Sequence, residues 1–238
     1  MTKKRTAAAG GALSVVDKSA KSTVVIMNGG GEPVRVDAAF RVPQVHPSDP
    51  GPWSDEWDKI AWTDTGTGYP CIIRRSPRTG HLCGYVAVPP SHPLHGCPAE
   101  ALIGLHLTVH NGLSYARACE AGEPEPVSIC HVAPGRFDQG EPAVHRNAAA
   151  NRPHDDAWWF GFECDGPGDV LPGDRMQYAH GTMLDGVTER VYRNEAFVHD
   201  QCARLAAQFA AIADGRDPIE AVAPRATAAS YDPSRIGG

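Results

Sequence analysis

The sequence predicts an α+β domain in which a mainly antiparallel sheet is covered on one face by one long C-terminal helix, with disordered termini. Short apolar stretches with strand-like alternation, separated by turn-forming residues, account for the sheet. One clear stripe of apolar residues at helical spacing, over residues 195–214, accounts for the helix. The 25 glycines and 21 prolines among 238 residues exceed the usual share and indicate a loop-rich chain.

The first 52 residues are predicted to form a flexible segment that contains a β-hairpin over residues 23–42. Apolar residues precede the glycines at 29–31, and alternating apolar and polar residues follow them. This hairpin is either a separate ribbon or an edge added to the main sheet. A single domain is expected over residues 53–215, after a proline-containing linker, and the Ala- and Pro-rich residues 216–238 indicate a mobile tail.

Three tryptophans open the predicted domain. Trp53, Trp57 and Trp62 stand four and five residues apart, and a short amphipathic helix would bring them to one side. Packing of these rings against the sheet is the ordinary interpretation. An aromatic platform for a base or a sugar is the alternative.

Five strands are predicted in the domain, over residues 71–75, 81–88, 102–110, 127–132 and 157–163. The first two form a hairpin across a turn that contains Pro77 and Gly80. Residues 133–156 are polar without periodicity, which is typical of a functional or a disordered loop. The helix is expected to begin after Asn194 as its N-cap and to end before Gly215.

The composition excludes several classes of protein. A net charge of −6 gives no general attraction to nucleic acid or to an anionic membrane. No run of about 18 apolar residues occurs, so no transmembrane helix is expected. The seven cysteines form no C-x-x-C pair, and Cys83, Cys130, Cys164 and Cys202 are predicted to be buried reduced thiols of a cytoplasmic protein. Phosphate-loop, dinucleotide-binding, zinc-protease and α/β-hydrolase motifs are absent.

Ionisable residues mark the ends of two predicted strands. His110 ends the third strand before an Asn-Gly turn, and Glu163, Asp165 and Asp169 surround the Gly-Pro-Gly turn after the fifth. We expect these ends to lie together, with His110 as general base and Glu163 and Asp169 as the carboxylates that orient it. The same region suits a divalent metal ion, with His110, Asp165 and Asp169 as ligands. The alternative is a histidine and a polar turn that are satisfied by backbone groups.

An anionic group on a substrate would need a cation. Arg74 or Arg75, in the first hairpin, is predicted to supply it, and Ser114 and Tyr115 are predicted to position the ligand. Strand alternation sends the two arginines to opposite faces of the sheet, so at most one of them serves a given cleft.

Two His-x-Thr triplets offer another interpretation. His106-Leu-Thr108 and His180-Gly-Thr182 have the form seen in two-histidine phosphoesterases, in which each histidine handles a proton and each threonine holds phosphate. With eleven histidines in the chain, one such triplet arises by chance, so the pattern has low specificity.

Residues 62–210 resemble a group of uncharacterised small proteins of actinobacteria and their phages. The likeness rests on four stretches: Gly84-Tyr-Val-Ala-Val-Pro89 with His92-Pro-Leu94, Val109-His-Asn-Gly-Leu-Ser-Tyr-Ala116, Trp158-Trp-Phe-Gly-Phe-Glu-Cys164 with Gly168-Asp169, and Tyr192-Arg193. The corresponding patterns of that group are VHGGLTY and WWFGFDCAHAGD. The resemblance implies one domain and supplies no activity. Gly166 stands where the group has a histidine, with Asp165 beside it as a partial substitute.

The leading functional hypothesis is a hydrolase-like enzyme that acts on a small polar or phosphorylated substrate, nucleotides included. The rival is a non-enzymatic binding protein of phage or mobile-element type that engages a host protein or sequesters a ligand. A large exposed apolar patch at Trp53, Trp57 or Trp159, without a polar cleft at His110, would favour the rival. The sequence specifies no cofactor beyond the divalent ion that these side chains suit.

Overall fold

The computed structural model describes residues 23–25, 33–119, 123–131, 144–147, 152–173 and 190–222. The strands in these ranges are β1 Thr23–Val25, β2 Val34–Val36, β3 Ala38–Phe40, β4 Lys59–Thr63, β5 Pro70–Arg75, β6 Leu82–Val88, β7 Tyr115–Ala118, β8 Val144–Asn147, β9 Arg152–Asp155 and β10 Trp158–Glu163. The helices are a 3-10 helix over Ala99–Leu105, α1 over Glu195–Ala213 and α2 over Pro218–Ala221. The disordered termini predicted from the sequence fall on residues 1–22 and 223–238, which lie outside the described residues.

Six strands form one antiparallel sheet in the order β3-β4-β5-β6-β10-β7. Its centre is the predicted hairpin of β5 and β6, in which Arg75 pairs with Leu82. Helix α1 packs on β5 and β6. The predicted α+β class, with a mainly antiparallel sheet and one long C-terminal helix on one face, is therefore confirmed.

The two faces of the sheet carry separate apolar cores because side chains alternate along each strand. Phe160 and Phe162 of β10 lie on the helix face, in contact with the core residues of α1. Trp159 lies on the opposite face, where residues of the 123–131 segment cover it. The alternation predicted for β10 is thus confirmed.

Two glycines in the paired strands β6 and β10 make room for large rings. A Cβ on Gly84 would lie 2.4 Å from Phe162 Cζ, and one on Gly161 would lie 2.4 Å from Tyr85 Cδ1. Because real Cβ atoms do not approach so closely, a side chain at either position would displace a buried aromatic ring.

Helix α1 begins and ends as predicted. The Asn194 side chain accepts a hydrogen bond of 3.0 Å from Phe197 N, which satisfies a free donor of the first turn. Gly215 follows the helix with a φ of 69°, a left-handed conformation that glycine adopts without strain. The buried stripe contains Val198, Cys202, Leu205 and Phe209. Among the described helices, none is both long and apolar enough to span a membrane.

Two predicted strands are wrong. Residues 99–105 form a 3-10 helix that ends at His106, whose φ is 52°, so no strand runs over 102–110. The described part of 127–132 is not a strand either: Val127 N and Ser128 N both donate to Pro124 O at 3.0 Å, which closes a turn. Both segments alternate apolar and polar residues, but the described residues of neither segment form a strand.

The segment before Trp53 contributes to the sheet. β1 pairs with β2 as a separate ribbon, while β3 pairs with β4 at the edge of the main sheet, so each of the two arrangements considered for this region applies to part of it. The helix predicted over the tryptophans is wrong, because Trp53 lies in a turn and Trp62 in β4. Both rings are buried, as the packing interpretation expects.

Two further expectations need correction. Cys130 is not a free thiol, since it forms a disulfide with Cys119, whereas Cys83, Cys164 and Cys202 are buried and free as predicted. The polar segment 133–156 is not wholly irregular, because β8 and β9 pair within it as a two-stranded ribbon.

Candidate functional site

Residues 106–112 carry the chain to the site along the side of α1. Thr108 N donates to Gln208 Oε1 at 2.7 Å, and Gln208 Nε2 donates to Thr108 O at 2.9 Å. His110 N donates to Gln201 Oε1 at 3.0 Å. Glutamine side chains of the helix thus satisfy backbone groups that a neighbouring strand would otherwise satisfy. Because these side chains take the place of a neighbouring strand, the alternating pattern of residues 105–110 occurs here without a strand.

A tight turn then aims two side chains at the end of β10. Asn111 and Gly112 have φ values of 55° and 79°, in the left-handed region that glycine and, among other residues, asparagine tolerate best. After the turn, Ser114 N donates to Gly161 O at 2.9 Å and the chain enters β7. His110 and Asn111 therefore face the loop that follows β10.

The structure brings His110 and Asp169 into direct contact. His110 Nε2 lies 2.8 Å from Asp169 Oδ2. The histidine side chain is 16% exposed, whereas that of Asp169 is 1% exposed. An imidazole that is open to solvent on one side and held by a buried carboxylate on the other is an arrangement found in acid–base catalysts.

Asp169 is the most heavily bonded carboxylate of the site. Its Oδ2 also accepts from Asn111 Nδ2 at 3.0 Å and from Gly166 N at 2.9 Å, and its Oδ1 accepts from Arg193 Nε at 2.8 Å. Burial alone would raise the pKa of Asp169, but the hydrogen bonds from Arg193, His110 and Asn111 outweigh burial and the pKa lies below its ordinary value. The group is held as a carboxylate.

The His110 ring also packs against the start of α1. It meets the Phe197 ring edge-on, with centroids 5.1 Å apart. The Arg193 guanidinium lies over the Phe197 ring, 4.7 Å from its centroid. Packing and hydrogen bonding together therefore restrict the imidazole to one orientation.

The lack of a side chain at Gly166 leaves room for Asn111. A Cβ at Gly166 would lie 2.6 Å from Asn111 Oδ1, so the asparagine side chain occupies the space that a side chain at 166 would need. Asn111 uses this position to donate to Glu163 O at 3.1 Å as well as to Asp169. It links the end of β10 to the loop that follows.

A second cluster of ionisable side chains lies at the end of β10 and the start of β6. One ligand atom from each of His81, Glu163 and Asp165 falls within 4.8 Å of the other two. Burial lowers the pKa of His81, while burial and the neighbouring Asp165 raise the pKa of Glu163. Among the described residues this is the group able to hold a metal ion, and it differs from the predicted ligands His110, Asp165 and Asp169.

The arginines predicted to bind an anion are engaged elsewhere. Arg75 is 1% exposed, and its Nε lies 2.7 Å from Asp58 Oδ1 while its Nη2 lies 3.0 Å from Glu56 Oε2. These two buried ion pairs leave Arg75 unavailable to a ligand, contrary to the prediction. Arg74, on the other face, donates from Nη1 to Val127 O at 2.7 Å.

The other predicted ligand-binding residues are not joined to the His110–Asp169 pair. Tyr115 pairs with Gly161 in the sheet and stacks edge-on with Tyr85, on the face away from α1. Ser114 is exposed beside it. His106 and Thr108 are exposed as well, and the second His-x-Thr triplet lies outside the described residues.

Sequence reasoning missed three contributors to the site. Arg193 and Asn111 each lie within a stretch that supports the resemblance, but the sequence assigned neither of them a role in the site. His81 was assigned to a strand, and only the pairing of β6 with β10 in the structure brings it to the two acids. Glu163 pairs with Cys83, so two residues further along both chains His81 comes opposite Asp165.

Compared with protein-family models, with curated proteins and with solved structures, the chain matches none.

Proposed function

We propose that the protein is a hydrolase-like enzyme that acts on a small polar or phosphorylated substrate, nucleotides included, with His110 as the general base. The contact between His110 Nε2 and Asp169 Oδ2 carries the proposal. A carboxylate that is held ionised favours an Nε2–H donor and stabilises the imidazolium formed during proton transfer. Asp169 is accordingly a positioning residue.

The second ring nitrogen of His110, Nδ1, is the atom that accepts the proton in the proposed reaction. When Nε2–H donates to Asp169, Nδ1 carries the lone pair, and within the described part of the chain no hydrogen bond occupies Nδ1. Nδ1 takes a proton from a water molecule as the water oxygen attacks an acyl or phosphoryl centre. The same proton then passes to the leaving group.

Cations beside the pair suit an anionic substrate. Arg193 uses Nε for Asp169, and its side chain is 26% exposed. Arg78 is 75% exposed, and its Nη2 lies 3.9 Å from Asp165 Oδ2. These two guanidinium groups replace Arg74 and Arg75 in the proposal because they border the loop that carries Asp169.

The rival proposals have weaker support. The phage-type binding protein would need an exposed ring at Trp53, Trp57 or Trp159, but Trp53 and Trp159 are buried. Trp57 is partly buried, and the Arg41 guanidinium lies over its ring. A two-histidine phosphoesterase would need His106 directed into a cleft, and that side chain is exposed at the end of the 3-10 helix. An actinobacterial or phage origin remains a proposal from the resemblance.

The cytoplasmic location also remains a proposal. The five free cysteines agree with a reducing compartment, whereas the disulfide between Cys119 and Cys130 favours an oxidising one. Thiol labelling of the protein as isolated from cells distinguishes the two compartments.

A substrate panel tests the proposed activity. The probes are p-nitrophenyl phosphate, bis-p-nitrophenyl phosphate, p-nitrophenyl acetate and nucleoside triphosphates, assayed with added Mn²⁺, Zn²⁺ or chelator. We expect His110→Gln to lose about 10²- to 10⁴-fold of the rate on the best probe, the usual contribution of a general base. His106→Asn is the matched control, because asparagine tolerates the left-handed backbone there, and it should retain the rate. Equal rates for wild type and His110→Gln would exclude His110 as the base.

A further inference from the structure

The ends of β6 and β10 place three metal-binding side chains on one face of the sheet. Glu163 pairs with Cys83, and Cys164 N donates to Leu82 O at 3.2 Å, which continues the strand pairing past the end of β10. Since side chains alternate, Asp165 lies on the face of Glu163, and His81 lies on the face of Cys83. The fold itself, rather than a flexible loop, therefore collects the imidazole and the two carboxylates.

The His81 ring is buried with one nitrogen lacking a hydrogen bond. The residue is 1% exposed, and its Nε2 is a buried polar atom without a hydrogen-bond partner. Glu163 Oε2 lies 3.6 Å from that nitrogen, beyond hydrogen-bonding distance. An unsatisfied buried nitrogen is rare and costly, so it calls for a ligand that completes it.

The other nitrogen of His81 is already anchored. Nδ1 lies 2.6 Å from Thr79 Oγ1. When Thr79 Oγ1 accepts the Nδ1 hydrogen, the lone pair of Nε2 points at the two carboxylates. Histidines that bind metal ions are held in the same way, with the second ring nitrogen donating to an outer oxygen that fixes the tautomer.

The two carboxylates supply negative charge beside this lone pair. Glu163 and Asp165 are both 36% exposed at the side chain, so each is able to rotate. Arg78 is the described cation nearest to Asp165, at 3.9 Å, and its exposed side chain is free to withdraw. A lone pair and two negative charges together attract a cation.

We propose that His81 Nε2, Glu163 and Asp165 bind one divalent transition-metal ion. Metal–ligand distances of about 2.1 Å at tetrahedral angles put the ligand atoms about 3.4 Å from one another. The three atoms lie within 4.8 Å of one another, and rotation of the two partly exposed carboxylates would close the remaining gap. One imidazole with two carboxylates suits Mn²⁺ or Zn²⁺ better than Ca²⁺ or Mg²⁺, which take oxygen ligands.

This site goes beyond the proposed hydrolysis and does not depend on it. Three protein ligands leave coordination positions open for water or an anionic group. The site adjoins the His110–Asp169 pair through Asn111, which donates to both Glu163 O and Asp169 Oδ2. Asp169 itself is unsuited as a ligand, because its two oxygens already accept from four donors.

Isothermal titration of chelator-stripped, full-length protein with MnCl₂, ZnCl₂ and MgCl₂ tests the proposal. We expect one Mn²⁺ or Zn²⁺ per chain, bound more tightly than Mg²⁺. Glu163→Gln and Asp165→Asn, at partly exposed positions, should each weaken binding by at least about 10-fold, and His81→Asn should do the same. Asp55→Asn, an exposed acid outside the cluster, is the matched control and should leave the affinity unchanged.

His110→Gln distinguishes this ligand set from the one predicted from sequence. It should leave the metal affinity within about 2-fold, since His110 is not a ligand here, whatever its effect on hydrolysis. Three results would overturn the proposal: no stoichiometric binding of Mn²⁺ or Zn²⁺, unchanged affinity in both carboxylate variants, or loss of binding in His110→Gln with retention in His81→Asn.

Discussion

Replacement of Asp169 by asparagine should destabilise the protein far more than the same change at Asp165. Asp169 is 2% exposed, and its carboxylate accepts hydrogen bonds from His110, Asn111, Gly166 and Arg193. The amide of an asparagine keeps the size but turns one acceptor oxygen into a donor. Whichever way the amide is oriented, its NH₂ group faces at least one N–H donor that is then left unsatisfied.

The cost follows from the number and kind of bonds. A hydrogen bond to a charged group contributes about 1.5–3 kcal/mol. The bonds from Arg193 and His110 contribute less than this, because both side chains are partly exposed. We therefore expect Asp169→Asn to lower the free energy of unfolding by about 2–4 kcal/mol. For a chain of this size that corresponds to a Tm lower by about 4–16 °C.

Thermal and urea unfolding followed by circular dichroism measures this difference. Asp165→Asn is the control from the same loop, because its only described ion pair is a loose one with an exposed arginine, and we expect a change within about 0.5 kcal/mol. Equal destabilisation by the two variants would refute the reasoning, since it would mean that the hydrogen bonds of Asp169 contribute nothing specific.

Three other outcomes follow from the same structure. Arg75→Met should cost about 3–5 kcal/mol in urea unfolding, because it removes the guanidinium that two buried carboxylates share. A loss below about 1 kcal/mol would show that these charges are not buried. Gly84→Ala should cost about 1–3 kcal/mol of folding stability, because the added Cβ clashes with the Phe162 ring. Gly104→Ala is the control and should be neutral, since nothing lies near its Cβ. Equal Tm values for the two variants would contradict the packing. The hydrogen bonds that lower the pKa of Asp169 add folding stability that is fully present above its unfolded pKa of about 3.9 and is lost as the pH falls through the folded value. The difference in free energy of unfolding between wild type and Asp169→Asn should therefore stay constant above about pH 5 and narrow below about pH 4. A difference that widens on acidification would contradict this expectation.

Sequence patterns predicted the elements that rely on local signals. The β5–β6 hairpin has its turn residues in order, and α1 has a cap, a stripe and a terminal glycine, so both could be located closely. The alternation of β10 predicted which side chains share a face. These features depend on neighbours within a few residues or on a regular period.

The failures arose where partners are distant in sequence. Residues 107–110 alternate like a strand, yet Gln201 and Gln208 of α1 satisfy their backbone, about a hundred positions away. No periodic pattern in the sequence predicts a pairing between these backbone groups and glutamine side chains of α1. The disulfide between Cys119 and Cys130 is similar, since spacing alone does not specify which cysteines meet.

The candidate site was partly accessible from sequence. Glycine-marked turns with ionisable neighbours singled out His110 and Asp169, and the structure places them 2.8 Å apart. The grouping of the remaining residues was not accessible. Arg193 comes from the start of α1, and His81 meets Glu163 and Asp165 only through the register of β6 and β10.

The rate of hydrolysis by His110→Gln, relative to wild type, on the best substrate of the panel is the most direct test of the proposed chemistry. A base that takes its proton through Nδ1 while Asp169 holds Nε2 predicts a kcat lower by about 10²- to 10⁴-fold, with KM changed little. An unchanged kcat would mean that the His110–Asp169 contact only holds the β10 loop to the segment beside α1.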